Sequence, residues 1–416
     1  MSSNLTARNV VMGLQHTFVM FGATVLMPLL TGLDVGVSLF AAGAGTLIFH
    51  LVTKFKVPVF LGSSFAFIPA ISAIATQTGD IAYALGGVFC AGLLYLIVSI
   101  IFRFVSPQIL HKILPPHVTG PMIILIGLIL APIAIGSASG ANSPALVERF
   151  GTNGCWGIAL FTFAVGVFVK MAFPRFGWKL ASALPVLIAL IVGYVFSAIL
   201  GVIDFSSVTE AKWIGLPAFS LPKFSGTAIS IAVPVAIVTM VEHFGDMLAI
   251  GNVVDDDFID DPGIHRTMLG DGIATSFSAL IGGPPNTTYS ENTGAIALTG
   301  VKNPIIMRIA AVFAIVLSLI PKFTAIIGTF PAPVIGGISI MLFGMISSIG
   351  IKNMVDAKVD LTKPANLIIS AVMLVLGLGG AQISAGNFSI DGLGLAAVVG
   401  ILLNVILNFQ SIKKSA

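Results

Sequence analysis

The sequence predicts an all-α polytopic membrane protein whose fourteen spans form two inverted sets of seven. Three observations predict it: a composition too apolar for water, a succession of apolar runs whose basic flanks fall on one side, and echoes between the two halves. Of 416 residues, 56% are hydrophobic and 9% are charged, and the mean hydropathy is +1.06. A soluble domain carries about a quarter charged residues, so 20 Lys+Arg and 17 Asp+Glu cannot clothe a water-facing surface. Soluble enzymes and disordered chains are thereby excluded. The net charge of +3 comes from basic residues scattered through short loops, which offers no surface for nucleic acid. Cys90 and Cys155 make no metal-ligand or redox pattern. No cofactor is called for.

A crossing helix needs about 20 apolar residues. By that measure the spans fall at 10–30, 35–53, 58–77 and 82–105, then 116–136, 156–173 and 180–203. Beyond a polar stretch holding Asp204, Glu210, Lys212 and Lys223 come 226–250, 267–282, 284–299 and 304–321, then 325–349, 365–384 and 391–411. The first run is followed by no small-residue cleavage site and contains Gln15 and His16, so it reads as a span and not as a leader. Spans three and ten are short and interrupted, by Gly62-Ser63-Ser64 and by the stretch from Gly282 to Thr288. Trp156, Trp178 and Trp213 lie near span ends, where indoles anchor at the bilayer interface.

Basic residues test the count. With the N-terminus inside, one side collects Arg8, Lys54, Lys56, Arg103, Lys112, Lys170, Arg175, Lys179, Arg266, Lys302, Arg308, Lys352, Lys358, Lys363, Lys413 and Lys414. The other receives Arg149, Lys212, Lys223 and Lys322, a split of 16 to 4. The positive-inside rule then puts both termini in the cytoplasm.

The halves echo each other at one shift of seven spans. Leu14-Gln15-His16 in span one resembles Val241-Glu242-His243 in span eight, and Pro115-Pro116-His117-Val118-Thr119-Gly120 in span five resembles Pro331-Ala332-Pro333-Val334-Ile335-Gly336 in span twelve. The interrupted spans three and ten make the third pair. An odd number of spans per repeat inverts one half relative to the other, and inverted repeats with paired broken segments are the architecture of secondary transporters.

Carboxylates inside spans are costly and functional by default. Glu242, Asp246 and Glu291 stand out. Glu242 and Asp246 share a helix face at four residues' spacing, with His243 beside them. Two acidic groups that close and poorly solvated favour one shared proton near neutral pH. Unwound backbone at Gly62-Ser63-Ser64-Phe65 and at Thr288-Tyr289-Ser290 supplies free N–H groups. Carboxylate acceptors with backbone donors suit a planar heterocycle of alternating N–H and C=O groups, with Phe65, Phe67 and Tyr289 available to its ring face.

At these residues the chain resembles the nucleobase–ascorbate transporters. Glu291-Asn292-Thr293-Gly294-Ala295-Ile296-Ala297-Leu298-Thr299 is similar to their signature, and Gln15-His16 to their span-one pair. Glu242-His243-Phe244-Gly245, Pro285-Asn286-Thr287-Thr288-Tyr289, Gln15 to Pro28 and Leu61 to Phe67 resemble the bacterial members that carry uracil. The resemblance runs from about residue 10 to 410. It implies proton-coupled uptake of uracil in a bacterial cytoplasmic membrane, with spans 1–4 and 8–11 as a core and the others as a gate. The corresponding segments are 1–112 and 226–323 for the core, 113–225 and 324–416 for the gate. Carried over, Glu242 and Glu291 take the base N–H groups, and backbone near Phe65 and Ser290 bonds its carbonyls, with Tyr289 also at the base. Glu242, Asp246 and Glu291 handle the proton, and Gln15, His16, Ser64, His243, Thr288 and Asn292 support the site. The partners so implied are a nucleobase, protons and lipid. A homodimer through the gate is the assembly this organisation allows.

One departure bears on the substrate. Uracil carriers of the family commonly have His four residues after the span-eight Glu, whereas here it is Asp246. Together with Asp271-Gly272 it is similar to purine members, so a purine or xanthine symporter is the alternative. Two other classes compete. Asp255-Asp256-Asp257-Phe258-Ile259-Asp260-Asp261 contains the Asp-Asp-x-x-Asp spacing of magnesium-dependent membrane prenyltransferases, but no second acidic motif accompanies it. A passive channel is the other, and carboxylates on broken helices argue against it. Glu242-His243-x-x-Asp246 lacks the His-Glu-x-x-His arrangement of zinc proteases, so no metal site is expected.

Overall fold

The computed structural model describes residues 6–178, 181–385 and 388–408. Helix α1 (Ala7–Thr31) starts where the Thr6 hydroxyl accepts the Asn9 N–H, and α2 (Val35–Val52) where Asp34 accepts the Val37 N–H. The third segment is composite: strand β1 (Leu61–Ser63), a 3-10 turn over Phe65–Phe67, then α3 (Ile68–Thr78). Next come α4 (Ala82–Phe102), the short α5 (Pro107–Ile113), and the pair α6 (Pro116–Ile129) and α7 (Ala131–Ala138). Then follow α8 (Pro144–Ala172), α9 (Pro185–Ile199) and the short α10 (Ser206–Glu210). Proline opens α6, α8 and α9, a position whose N–H has no helical partner anyway.

The second half begins with α11 (Gly226–Val254), capped by Ser225, and α12 (Ile264–Leu280). Strand β2 (Asn286–Thr288) leads into α13 (Ser290–Thr299). After it come α14 (Ile305–Ser318), α15 (Pro321–Gly328), α16 (Ala332–Asp356) and α17 (Pro364–Leu378). Strands β3 (Ile383–Ala385) and β4 (Phe388–Ile390) pair antiparallel before α18 (Gly392–Leu407).

Two groups of helices pack side by side. In one, α12 lies on α4 and α2, α11 on α4, and α14 on α2 and α1. In the other, α16 lies on α6, α7 and α8, α17 on α18 and α6, and α8 on α9. Small residues let the backbones approach. A Cβ on Gly92 of α4 would stand 2.8 Å from the Gly272 carbonyl oxygen of α12, and one on Gly272 would stand 2.9 Å from that of Gly92. Outward faces are apolar, as Ile97 and Ile100 on α4, Leu160 and Phe168 on α8, and Leu402 and Ile406 on α18 show. Such broad apolar exposure belongs to lipid and not to water. This is a multi-pass membrane protein.

The spans differ from expectation in length. Among the described residues, seven helices are long and apolar enough to cross, or eight if α14 and α15, bent by 85° to each other, count as one. The segments Phe65–Thr78, α9, α17 and α18 are shorter apolar helices. An extended residue advances about 3.3 Å against 1.5 Å in a helix, so β1 and β2 cover depth that α3 and α13 do not. Span twelve starts at Ala332 and not at 325, because Pro321 opens the separate α15 and Pro331 precedes the true start. Span six starts earlier than 156, at Pro144, with Gly151 (φ 68°) breaking it near its beginning. The acidic run after α11 is a tethering loop: Asp255 pairs with Lys302 at 2.7 Å, and Asp261 pairs with Lys56.

Candidate functional site

The two interrupted spans meet. β1 and β2 pair antiparallel with Leu61 opposite Thr288, Gly62 opposite Thr287 and Ser63 opposite Asn286. Neighbouring helices satisfy further backbone groups of this buried ribbon: the Thr46 hydroxyl accepts the Leu61 N–H at 2.9 Å, and Thr275 donates to the Asn286 carbonyl at 2.9 Å. The Asn286 side-chain amide donates to the Ala41 carbonyl at 3.1 Å. Irregular backbone is tolerated at membrane depth only with such partners. Because the strands are antiparallel and each runs into a helix, the N-terminal ends of the 3-10 turn and of α13 bracket the ribbon from opposite ends. Helix N-termini carry partial positive charge and free N–H groups.

Beside the ribbon lies a cavity of about 30 Å³, the space of roughly one water molecule. Ser63, Phe65, Thr287, Thr288 and Tyr289 line it together with the Glu242 side chain of α11. Ile123 of α6 and Ile346 and Ile349 of α16 close it from the other group of helices. Tyr289 is fixed: its ring lies across the β1 backbone and its hydroxyl donates to the Ser63 carbonyl at 3.1 Å. Gly62 makes this possible, since a Cβ there would come within 2.1 Å of the ring. Gly62→Ala therefore displaces the Tyr289 ring or breaks the ribbon, and we expect uptake to fall at least tenfold while expression is kept. Unchanged uptake kinetics in that variant would contradict the close contact.

Of the residues singled out from the sequence, Glu242, Phe65, Thr288 and Tyr289 line the cavity. Phe65 is edge-on to Phe343, with centroids 5.7 Å apart. The side chains of Ser290 and Glu291 lie outside the described residues, and their backbone opens α13. The others are buried behind the wall. Asn292 braces α1 to the ribbon's approach: its Oδ1 accepts from His16 Nδ1 at 3.2 Å, and its side-chain amide donates to the Pro58 carbonyl at 3.1 Å. Gln15, His16 and Ser64 each keep a buried polar atom without a partner among the described residues. Phe67 is packed into the core. Asp246 does not line the cavity; its Oδ2 accepts the Thr288 hydroxyl at 2.9 Å.

Asp271 is a further intramembrane carboxylate, named from the sequence only for the likeness of Asp271-Gly272 to purine members and not as a site residue. It is fully buried on α12, with Oδ2 2.8 Å from His243 Nδ1. The other ring nitrogen of His243 is 2.9 Å from the Thr267 hydroxyl, and the Thr288 hydroxyl is 3.5 Å from Nδ1. One network thus joins α11, α12 and β2. The signal was present, since Asp271 lies inside the ninth apolar run just as Glu242 lies inside the eighth.

Two like halves, crossing extended segments that start two half-helices, and a carboxylate at their junction define a secondary transporter. The solved structure of SLC26A9 superposes with a TM-score of 0.72 at 13% identity, over 97% of this chain and 65% of that one. The chain therefore spans about two thirds of that protein, and the likeness establishes the fold: the helical, inverted-repeat fold of such transporters. The chain is 43% identical over 406 residues to the uracil permease of Bacillus caldolyticus, covering 96% of this chain and 91% of the relative. It is 42% identical over 402 residues to the uracil permease of Bacillus subtilis (strain 168), covering 95% and 91%. Residues 7–386 match the xanthine–uracil permease sequence model, described as the Permease family. The chain belongs to the nucleobase–ascorbate transporter family of permeases. It is a transporter and not an enzyme.

Proposed function

We propose that the protein takes up uracil together with protons by alternating access. The observation that carries this reading is the Glu242 residue lining the cavity beside the ribbon from whose two ends half-helices start. Uracil offers two N–H donors and two carbonyl acceptors. Carboxylates at 242 and 291 suit the donors, and backbone N–H groups beside Phe65 and Ser290 suit the carbonyls. The names of the relatives, uracil permeases, support the same base. On this reading α1–α4 and α11–α14 form the core, and α6–α9 with α16–α18 form the gate. A cavity of about 30 Å³ is too narrow for a base, so loading requires the isoleucine wall of α6 and α16 to move away from the core. A homodimer through the gate helices is the assembly we propose, and crosslinking between engineered gate cysteines tests it.

The proton is held by the acidic group of Glu242, Asp246 and Glu291, shared and not assignable to one residue. Thr288 links Asp246 to the cavity wall, so protonation there is felt by the ribbon that holds the base. Uptake of a labelled base panel into proteoliposomes, with and without an imposed pH gradient, tests the function. Uracil accumulates only with the gradient if the reading is right; equal accumulation without it overturns the coupling. The Asp246 and Asp271 pattern favours a purine or xanthine as the second reading, and xanthine outcompeting uracil in the panel would select it. Asp246→His should move the pH optimum and keep uracil binding. A change in the preferred base with an unmoved pH profile would make this residue one of specificity.

We also propose a bacterial inner membrane with both termini in the cytoplasm, supported by the 16-to-4 split of basic residues. A cysteine at Asp257 should react only with permeant reagents. Labelling from outside by an impermeant reagent would reverse the orientation.

A further inference from the structure

A second cavity, about 360 Å³, opens where the two helix groups meet. Val19 of α1 and Leu298 of α13 line one side; Leu187 of α9, and Leu342 and Ile346 of α16, line the other. Two basic residues also line it, Lys170 from the last turn of α8 and Lys352 from α16. Its volume falls in the range of ligand sites, yet apart from the lysines and Ser348 its named walls are almost wholly apolar. A polar base lodged there would leave most of its N–H and C=O groups unpaired, which is costly in a buried site.

We propose that this cleft holds one acyl chain of an anionic phospholipid whose phosphodiester sits between Lys170 and Lys352. The charge is complementary. Lys352 also pairs with Asp356 one turn away, but both side chains are exposed, and such i,i+4 pairs are weak and exchangeable. An ammonium has three donors, so Lys352 can hold phosphate and carboxylate together. Basic pockets between membrane helices are where anionic headgroups bind. Ile346 and Ile349 line this cleft and the small cavity beside Glu242 alike. A chain seated here supports α16 from one side while its isoleucines wall the other cavity, so the lipid favours the arrangement in which the cleft is open.

Native mass spectrometry of the purified full chain, titrated with phosphatidylglycerol and separately with phosphatidylethanolamine, reads the site. Wild type should retain phosphatidylglycerol at least tenfold more tightly. Lys170→Gln with Lys352→Gln should bring the two lipids level, and Ser348→Trp, which fills the cleft, should lower retention of both. All variants should remain monodisperse and bind labelled uracil, which separates loss of lipid from loss of fold. Equal retention of the two lipids by wild type, or a phosphatidylglycerol preference that survives in the double variant, overturns the proposal. So does stoichiometric displacement of the lipid by saturating uracil, which would make the cleft the route of the base.

Discussion

Glu242→Ala removes uracil binding and leaves the fold in place. The side chain reaches the cavity from the middle of the 29-residue α11, and Ala is at least as good a helix former as Glu. What is lost is the charged acceptor for a ligand N–H. A hydrogen bond to a charged group contributes about 1.5–3 kcal/mol, with more forfeited when the ligand donor stays buried and unpaired. At 1.4 kcal/mol per factor of ten, affinity measured by calorimetry should drop by roughly ten- to a hundredfold or beyond. Glu242→Gln, which keeps one acceptor but cannot ionise, should bind more tightly than the alanine variant and lose the pH dependence of uptake. Wild-type affinity in Glu242→Ala would take the base away from this carboxylate. The same loss is expected of Glu291→Ala, on the strength of the sequence signature alone.

The second large effect is on stability. His243→Leu leaves the Asp271 carboxyl buried on α12 with its imidazole partner gone. Removing one member of a buried pair destabilises by about 3–5 kcal/mol, whereas replacing both by apolar residues is often neutral or better. Thermal unfolding in detergent should therefore show a large fall for His243→Leu and a recovery of much of it in His243→Leu with Asp271→Leu. Uptake should stay low in the double variant, because Thr288 and Asp246 lose the imidazole that joins them to α12. A double variant as unstable as the single one, or a single variant as stable as wild type, would show that the pair is not what holds α11 to α12.

Much of the protein is legible residue by residue. Apolar runs, basic flanks and interrupted spans are properties of short stretches meeting a bilayer. A carboxylate inside an apolar run, such as Glu242 or Glu291, is conspicuous for the same reason, since its cost depends on depth and not on its neighbours. Asp271 carried that signal too, but between two glycines in a weakly apolar run it was noted only for its likeness to purine members.

By itself the sequence determined the membrane class, the helical transporter fold and the presence of acidic residues inside apolar runs. Only the tertiary structure decided that Leu61 faces Thr288, that Tyr289 lies on Gly62, and that Ile123, Ile346 and Ile349 close the cavity. It also turned Asp246 toward Thr288 and His243 toward Asp271, and bent α15 from α14 by 85°. The physical reason is one of range. Burial and backbone satisfaction are settled within a segment, but the partner of a buried polar group depends on how several helices, far apart in sequence, are rotated and set in depth against each other. No local pattern encodes that phase.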